Sequence, residues 1–172
     1  SLKHEYLVKG IDAGVHVIGG VEVPFIVTDY VEGPTLREAI ECTDASGSSE
    51  AKAAASVLAE LHLIAEELLL SLATVVSYVH ERGFAHCDIA PKNIFLNMNG
   101  GLRPVLGDLG IMKDLGRDRD TAFAGRSRGC MRPQALAHLN KDVGWTTFLA
   151  LQPDWDIFAF CETGLALLDA LF

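Results

Sequence analysis

Two short motifs contain the side chains in this chain that are best suited to chemistry. Residues 86–93 read HCDIAPKN, and residues 108–110 read DLG, beginning fifteen positions after Asn93. Together the motifs supply a carboxylate that can lie beside an incoming hydroxyl, an amide that can ligate a metal, and a second carboxylate for that metal. Phosphoryl transfer needs little else from side chains, because its loose transition state is stabilised by positioning and by metal ions that neutralise the phosphate oxygens. The two motifs therefore predict a phosphoryl-transfer site.

Both motifs resemble those of protein kinases. HCDIAPKN is similar to the catalytic-loop pattern HRDxxxxN, and DLG is similar to DFG. The resemblance implies that Asp88 accepts the proton of the substrate hydroxyl and that Asn93 and Asp108 hold Mg²⁺. It also implies that Lys92, four residues after Asp88 where tyrosine kinases carry arginine, brings a cation within reach of the transferring phosphate.

Other stretches resemble kinase landmarks in the same order along the chain. HEYLVKGIDAG resembles the path from the C helix into the fourth strand, and PFIVTDYVEGPTL resembles the fifth strand and the hinge. SYVHERGFAHCD is similar to the end of the E helix, SRGCMRPQAL to the end of an activation segment, and DIFAFCETGLALL to the start of the F helix. In the last stretch, Asp156 stands in place of the aspartate that hydrogen-bonds the catalytic-loop backbone.

The hinge resemblance implies where a nucleotide would bind. Adenine would meet backbone groups just after the fifth strand, and the phosphates would meet the metal site. The implied nucleotide-binding residues are Thr28 at the gatekeeper position, Asp29, Tyr30 and Val31 in the hinge, and Asn93 and Asp108 at the metal. ATP and Mg²⁺ are the implied cofactors, and a protein is the implied substrate.

The resemblance also implies a fold class, α+β and protein-kinase-like, with a mostly helical large lobe and a remnant of the small-lobe sheet. Residues 1–31 would form that remnant and the hinge, and residues 32–172 the large lobe, truncated in the F helix. No GxGxxG, no VAIK-type lysine and no C-helix glutamate precedes His4. We therefore expect an internal fragment of a longer kinase, with little or no activity alone.

Local patterns place the landmarks on particular elements. Residues 15–18 and 24–27 lie on either side of Gly19-Gly20 and predict a hairpin leading to the hinge. Thr35, with Glu38 three residues later, predicts a capped helix through residue 40. Residues 42–49, rich in Ser, Asp and Gly, predict a loop. From residue 50 to a cap at Gly83, a long helix is predicted by an apolar stripe at three- and four-residue steps. The stripe consists of Leu61, Ala65, Leu68, Leu72, Val75 and Val79.

A second hairpin is predicted between the two chemical motifs. Residues 94–96 and 104–106 flank Asn99-Gly100, which is a strong hairpin signal. Such a hairpin would present Asn93 and Asp108 from its two ends toward one point, as a shared Mg²⁺ requires. Few protein ligands suffice, because Mg²⁺ usually takes one or two carboxylates together with phosphate oxygens and water.

Composition excludes some classes of function. The chain has 172 residues, 49% of them hydrophobic, and a net charge of −9, which argues against a nucleic-acid partner. Its four cysteines lie far apart without metal-ligand spacing, so we expect a reducing, cytoplasmic location and neither zinc nor a disulfide framework. Only twelve uncharged residues, 68–79, run together in the most apolar stretch, too few for a membrane span of about 20. A membrane-anchored parent protein stays open.

Departures from the kinase pattern leave alternatives open. Cys87 replaces the arginine that clasps a phosphorylated activation loop, which disfavours control through Thr121 or Ser127. Gln134 and Cys161 replace a glutamate and a glycine that support the large lobe. Serine/threonine preference is favoured because Ser127 aligns with a threonine of that class, although Ala90 replaces its lysine. The alternatives are a pseudokinase or scaffold that binds partners, and a small-molecule kinase of the aminoglycoside or choline type.

Overall fold

The computed structural model describes residues 2–41, 49–116 and 152–172. The activation-segment resemblance falls outside these residues, and so do Thr121, Ser127, Gln134 and nearly all of the loop predicted at 42–49. The division of the chain at residue 31 stays a prediction.

Helices and strands both occur in the described residues, which confirms the predicted α+β class. The helices are α1 (Leu36–Glu41), α2 (Ser49–Glu81) and α3 (Gln152–Leu171). The strands are β1 (Gly10–Ile18), β2 (Val21–Thr28), β3 (Phe84–Ala85), β4 (Ile94–Asn97), β5 (Arg103–Leu106) and β6 (Lys113–Asp114). Short 3-10 turns cover Pro91–Asn93 and Leu109–Ile111.

Strands β1 and β2 form the first predicted hairpin, longer at both ends than the sequence pattern indicated. The pairing is antiparallel, and Gly19 and Gly20 form the two-residue turn with φ of 59° and 84°. Both values are left-handed, as the favoured type I′ hairpin turn requires, and glycine adopts them without a steric penalty. The hairpin is largely exposed on both faces, and β2 contacts the 3-10 turn at Leu109–Ile111.

Helix α1 begins with the predicted capping box. The Thr35 backbone amide donates to Glu38 Oε2 at 2.7 Å, and the Glu38 amide donates to Thr35 Oγ1 at 3.2 Å. The two residues thus satisfy each other's free amides at the helix start. The predicted helix is confirmed, and it ends one residue later than expected, at Glu41.

Helix α2 supplies one wall of the hydrophobic core. All six residues of the predicted stripe are buried. Five of them, all except Ala65, belong to one hydrophobic cluster with residues of β4, β5 and α3. Gly83 follows the helix with φ of 76°, and its amide donates to the carbonyl of His80 at 2.9 Å. The predicted helix and its glycine cap are therefore both confirmed.

Strands β4 and β5 form the second predicted hairpin, and extended segments border it on both edges. On the β4 side, the amides of Leu96 and Met98 donate to the carbonyls of Pro34 and Glu32 at 2.8 and 3.1 Å. On the β5 side, the amide of Val8 donates to the carbonyl of Leu106 at 2.8 Å. The amide of Leu106 donates to the carbonyl of Tyr6, also at 2.8 Å. The hairpin is thus held between the segment that follows β2 and the segment that precedes β1.

Across the three described segments, none of the helices combines the length and the apolar character needed to cross a bilayer.

Gly33 provides a test of the close fit between the segment after β2 and β4. Its φ is 139°, and an added Cβ atom would overlap the carbonyl oxygen of Leu96. Gly33→Ala should therefore lower the free energy of unfolding through both backbone strain and overpacking. Gly100→Ala is the matched control, because Gly100 has a φ of 80° but nothing within 4 Å of an added Cβ. We expect Gly33→Ala to cost about 1–3 kcal/mol more than the control in urea denaturation. Equal costs would show that the contact with Leu96 is not close.

Candidate active site

The loop that carries the first motif follows β3 and is held by a buried aspartate on α3. Asp156 is 0% exposed, and its carboxylate accepts the backbone amides of His86 at 2.6 Å and Cys87 at 2.9 Å. These are the contacts that the F-helix resemblance implied, and they are confirmed. Cys87 has a φ of 72°, a left-handed conformation that costs a residue with a side chain about 1–2 kcal/mol. Asp156 therefore stabilises a strained turn immediately before Asp88.

His86 joins this loop to the strand that precedes the second motif. Its ring Nε2 lies 2.9 Å from the carbonyl oxygen of Gly107, and the Asp88 amide donates to Nδ1 at 3.3 Å. A neutral imidazole protonated at Nε2 satisfies both contacts. Burial lowers the pKa of His86, against the opposing influence of Asp156, the Gly107 carbonyl, Asp88 and Asp108. His86 is thus a neutral connection between the two halves of the site.

Asp88, Lys92 and Asn93, to which the resemblance gave roles in the site, form one hydrogen-bonded cluster. Lys92 Nζ donates to Asp88 Oδ2 at 2.9 Å, and Asn93 Nδ2 donates to the same oxygen at 2.8 Å. Asn93 Nδ2 also donates to the backbone carbonyl of Asp88 at 2.8 Å. Asp88 and Asn93 are buried, whereas the Lys92 side chain is 44% exposed. The carboxylate is therefore fixed in orientation by two donors, one of which reaches solvent.

The β4–β5 hairpin carries Asn93 at one end and Asp108 at the other. The Gly107 amide donates to the Asn93 carbonyl at 2.8 Å, which extends the ladder by one step beyond the strands. Asp108 follows with a left-handed φ of 57°, and its Oδ1 accepts the Gly110 amide at 3.3 Å. The side chain of Asp108 is exposed. Gly107 is thus the backbone partner of Asn93, and Asp108 is the next residue along the chain.

The donor set at this end of the hairpin fits Mg²⁺ bound together with phosphates. Both hydrogens of Asn93 Nδ2 point to Asp88, so Oδ1 is the amide atom left to face a cation. Asp108 adds an exposed carboxylate, and oxygen donors are what Mg²⁺ prefers. Within residues 2–41, 49–116 and 152–172, no three His, Cys, Asp or Glu side chains form a metal cage. A cation here would need oxygens from a bound nucleotide and water to complete its shell.

The predicted hinge residues lie at the end of β2 and in the segment that leads from β2 toward the β4–β5 hairpin. Thr28 ends β2 and is half-buried, Val31 is half-buried, and Tyr30 is 90% exposed. The Asp29 amide donates to the carbonyl of Lys9 at 2.9 Å, so a backbone contact from Asp29 to adenine would have to use its carbonyl oxygen. These four residues are connected to the Asp88 cluster through residues 32–34, which pair with β4.

Two residues that support the loop were not given this role by the sequence patterns. His80 Nε2 lies 3.1 Å from Asp156 Oδ2, and Gln152 Oε1 lies 3.4 Å from Cys87 Sγ. Each pair is separated by more than sixty positions, so no local spacing indicates it. Both contacts are made by the first two turns of α3 against the end of α2 and the loop after β3.

Comparison with known proteins gives a consistent result. A sequence model of the protein kinase domain matches residues 1–145. A probable serine/threonine-protein kinase of Streptomyces coelicolor is 34% identical over 116 residues, 67% of this chain and 15% of that protein. Human serine/threonine-protein kinase Nek11 is 34% identical over 120 residues, 69% of this chain and 16% of that protein. A probable serine/threonine-protein kinase PknB of Bifidobacterium longum is 29% identical over 107 residues, 62% of this chain and 13% of that protein. The chain spans less than a fifth of the length of these relatives.

The lowered pKa of His86 predicts a pH dependence of stability. In the unfolded chain the imidazole titrates near 6.5, whereas in the fold it takes up a proton only at lower pH. As the pH falls below 6.5, the unfolded state binds a proton that the folded state does not, so the free energy of unfolding decreases.

The contribution of His86 can be isolated with His86→Gln, which keeps a side-chain donor for the Gly107 carbonyl but does not titrate. The free energy of unfolding is measured by urea denaturation at about pH 7.5 and at about pH 5.5. Between these pH values it should decrease more in the unsubstituted protein than in His86→Gln. Every other titratable group is common to both proteins, so the difference between them isolates residue 86. Equal losses in the two proteins would contradict a lowered pKa at His86.

Proposed function

This chain belongs to the protein kinase family, and from that premise we propose that its parent protein transfers the γ-phosphoryl group of ATP to a serine or threonine hydroxyl of a protein. The observation that carries the proposal is the Asp88 cluster. One buried carboxylate is oriented by two side-chain donors, at the end of a hairpin whose other end carries Asp108. The relatives named as serine/threonine-protein kinases support the hydroxyl class.

Asp88 is proposed to accept the proton of the substrate hydroxyl. A general base must have a fixed position, because proton transfer requires hydrogen-bond reach in the reactive geometry. Here Oδ2 is held by Lys92 and Asn93, and the preceding turn is held by Asp156. The carboxylate can therefore meet an incoming hydroxyl without first reorganising.

Lys92 is proposed to orient the base, Asp88, and to stabilise the negative charge of the transferring phosphate. Its ammonium group lies 2.9 Å from Asp88 Oδ2, yet almost half of its side chain is exposed. Positive charge near the phosphoryl oxygens stabilises the charge that they carry in the transition state. Because Ala90 stands where serine/threonine kinases carry lysine, Lys92 is the cation of this loop that can act there.

Asn93 and Asp108 are proposed to hold Mg²⁺, and Thr28, Asp29, Tyr30 and Val31 to border the adenine. Mg²⁺ bound with ATP would neutralise charge on the phosphate oxygens during transfer. Asn93 contributes an amide oxygen whose direction is fixed by its two hydrogen bonds to Asp88. Asp108 contributes an exposed carboxylate next to the hairpin ladder. A pseudokinase role would require neither this orientation nor this pairing, so we favour catalysis.

Replacement of the proposed base should separate chemistry from nucleotide binding. In protein expressed from the complete reading frame, Asp88→Asn should lower kcat for peptide phosphorylation by about 10²–10⁴-fold, because the amide cannot accept the proton. The KM for ATP should change little, since Asp88 is not proposed to contact the nucleotide. Steady-state kinetics with a serine-containing and a threonine-containing peptide measure both values. An unchanged kcat would exclude Asp88 as the base.

The proposed metal site can be tested by nucleotide binding in the same protein. Mg²⁺ should strengthen ATP binding, and Asp108→Asn should reduce that effect by about tenfold or more, because a neutral amide is a weaker ligand for Mg²⁺. Asp114→Asn is the matched control, since Asp114 Oδ1 also accepts the amide of a glycine two residues later, at 2.9 Å. Calorimetric titration of ATP with Mg²⁺ and with a chelator gives the comparison. If both variants lose the effect equally, the assignment of Asp108 fails.

A further inference from the structure

We propose that Asn99 is a deamidation site, at which the side-chain amide is converted to a carboxylate that repels Glu32 in the segment after β2. Asn99 and Gly100 lie in the exposed turn between β4 and β5. The chemistry of this site does not depend on phosphoryl transfer, whereas its effect on nucleotide binding rests on the function proposed above.

The reaction uses the backbone of the turn and a molecule of water. The backbone nitrogen of Gly100 loses its proton and attacks Cγ of Asn99, and the side-chain nitrogen takes up a proton and leaves as ammonia. The product is a cyclic imide, in which a new bond joins Gly100 N to Asn99 Cγ. Water then adds to either imide carbonyl and opens the ring, which gives aspartate or isoaspartate at position 99. Glycine obstructs this attack least, because it has no Cβ beside its nitrogen.

Arg103 favours the attack because it contacts the peptide group that becomes the nucleophile. Its Nη2 donates to the carbonyl oxygen of Asn99 at 3.2 Å. That oxygen and the Gly100 nitrogen belong to one peptide unit, and resonance spreads its charge over both atoms. When the nitrogen loses its proton, negative charge therefore develops on the oxygen that faces the guanidinium. A charged donor held where charge develops lowers the barrier of such a step.

Deamidation would reverse the contact between the turn and the segment after β2. Asn99 Nδ2 donates to Glu32 Oε2 at 3.1 Å, and the Met98 amide donates to the carbonyl of Glu32, also at 3.1 Å. An ionised aspartate at position 99 has no side-chain hydrogen to donate. Two carboxylates would then face each other and repel. Because Asn99 and Glu32 are both exposed, the segment can separate from the turn without disrupting the core.

The separation would reach the predicted hinge, because Glu32 directly follows Val31. Residues 32–34 connect the hinge to the hairpin through two backbone hydrogen bonds, and the bond between Met98 and Glu32 is the one nearer to the hinge. Its loss would loosen the residues proposed to border the adenine. Deamidation would thus weaken nucleotide binding progressively as the protein ages.

Peptide mapping by mass spectrometry tests the site in the complete protein. During incubation at neutral pH, aspartate and isoaspartate should accumulate at position 99. Asn97, in the same hairpin, is the internal control and should stay intact, because the side chain of Met98 obstructs the same attack on it. An Asn99 as intact as Asn97 would overturn the proposal. Aspartate without any isoaspartate would exclude the imide route, and with it the attack by Gly100.

Substitution of Arg103 tests why this turn is reactive. Arg103→Gln should slow the conversion by about three- to tenfold, as loss of a hydrogen bond from a charged donor implies. Arg103→Lys, which keeps the charge, should convert within about twofold of the parent rate. Arg37→Gln is the matched control, since Arg37 is also exposed but bonds to Glu41 on α1, and it should leave the rate unchanged. If Arg103→Gln converts as fast as the parent, the guanidinium has no part in the reaction.

Backbone hydrogen exchange measures the consequence for the fold. Asn99→Asp reproduces one product, and the Met98 amide should exchange at least about fivefold faster than in the parent. Asn99→Ala removes the donor without adding charge, so its effect should be smaller. Combining Asn99→Asp with Glu32→Gln should restore protection to within about twofold, because glutamine can donate to the new carboxylate. Equal exchange in Asn99→Asp and Asn99→Ala, or no recovery in the double variant, would rule out repulsion by Glu32.

Nucleotide binding provides the last measurement. Asn99→Asp should raise the Kd for ATP by about two- to fivefold, as loss of the hinge contact implies. An unchanged Kd would break the link between this site and the hinge. If the parent protein binds no ATP at all, the proposed function fails, and peptide mapping and hydrogen exchange still decide the role of Asn99.

Discussion

A buried carboxylate on α3 controls the geometry of the loop on which the candidate site depends. Asp156 is shielded from water and accepts two consecutive backbone amides, those of His86 and Cys87. The interaction is directional, because each oxygen has its own amide to meet, and it is strengthened by the low dielectric of the surroundings. The left-handed turn at Cys87 follows from it, and the position of Asp88 follows from the turn.

The β4–β5 hairpin extends this fixed geometry to the end of the site that carries Asn93 and Asp108. Its ladder continues through the contact between Gly107 and Asn93, and His86 connects the loop to the same Gly107. Both of its edges are paired with extended segments that lead toward β1 and from β2. The candidate base Asp88 and the two candidate metal ligands, Asn93 and Asp108, are therefore all attached to one hydrogen-bonded unit that rests on the core stripe of α2.

Charge within this unit is compensated by one ion pair and by hydrogen bonds. His86 is kept neutral by burial, although three carboxylates lie close enough to oppose that effect. Asp88 is balanced by the cation of Lys92, and Asp156 has the donors of the loop and of His80. Asp108 differs because it is exposed, so its charge can be met by a ligand from solvent. Binding of a metal and phosphates at that end would not require a buried pair to be broken.

Local sequence patterns were enough to predict the two hairpins and the helices α1 and α2, whereas the kinase resemblance supplied α3 and the members of the central cluster. Gly19-Gly20 and Asn99-Gly100 predicted both hairpins, Thr35 and Glu38 predicted the start of α1, and the apolar stripe predicted α2 with its buried face. Such signals depend on neighbours within a few residues, so they are readable without a fold. The kinase resemblance supplied the contact of Asp156 with the loop.

Tertiary structure decided the rest, because its contacts join residues that are distant in the chain. The contact of His80 with Asp156 and that of Gln152 with Cys87 follow from the way α3 packs against the end of α2. The left-handed turn at Cys87 is likewise not favoured by its own residue type, and the acceptors on α3 stabilise it. Sequence determined which groups are available for chemistry, and packing decided which of them are fixed, buried or exposed.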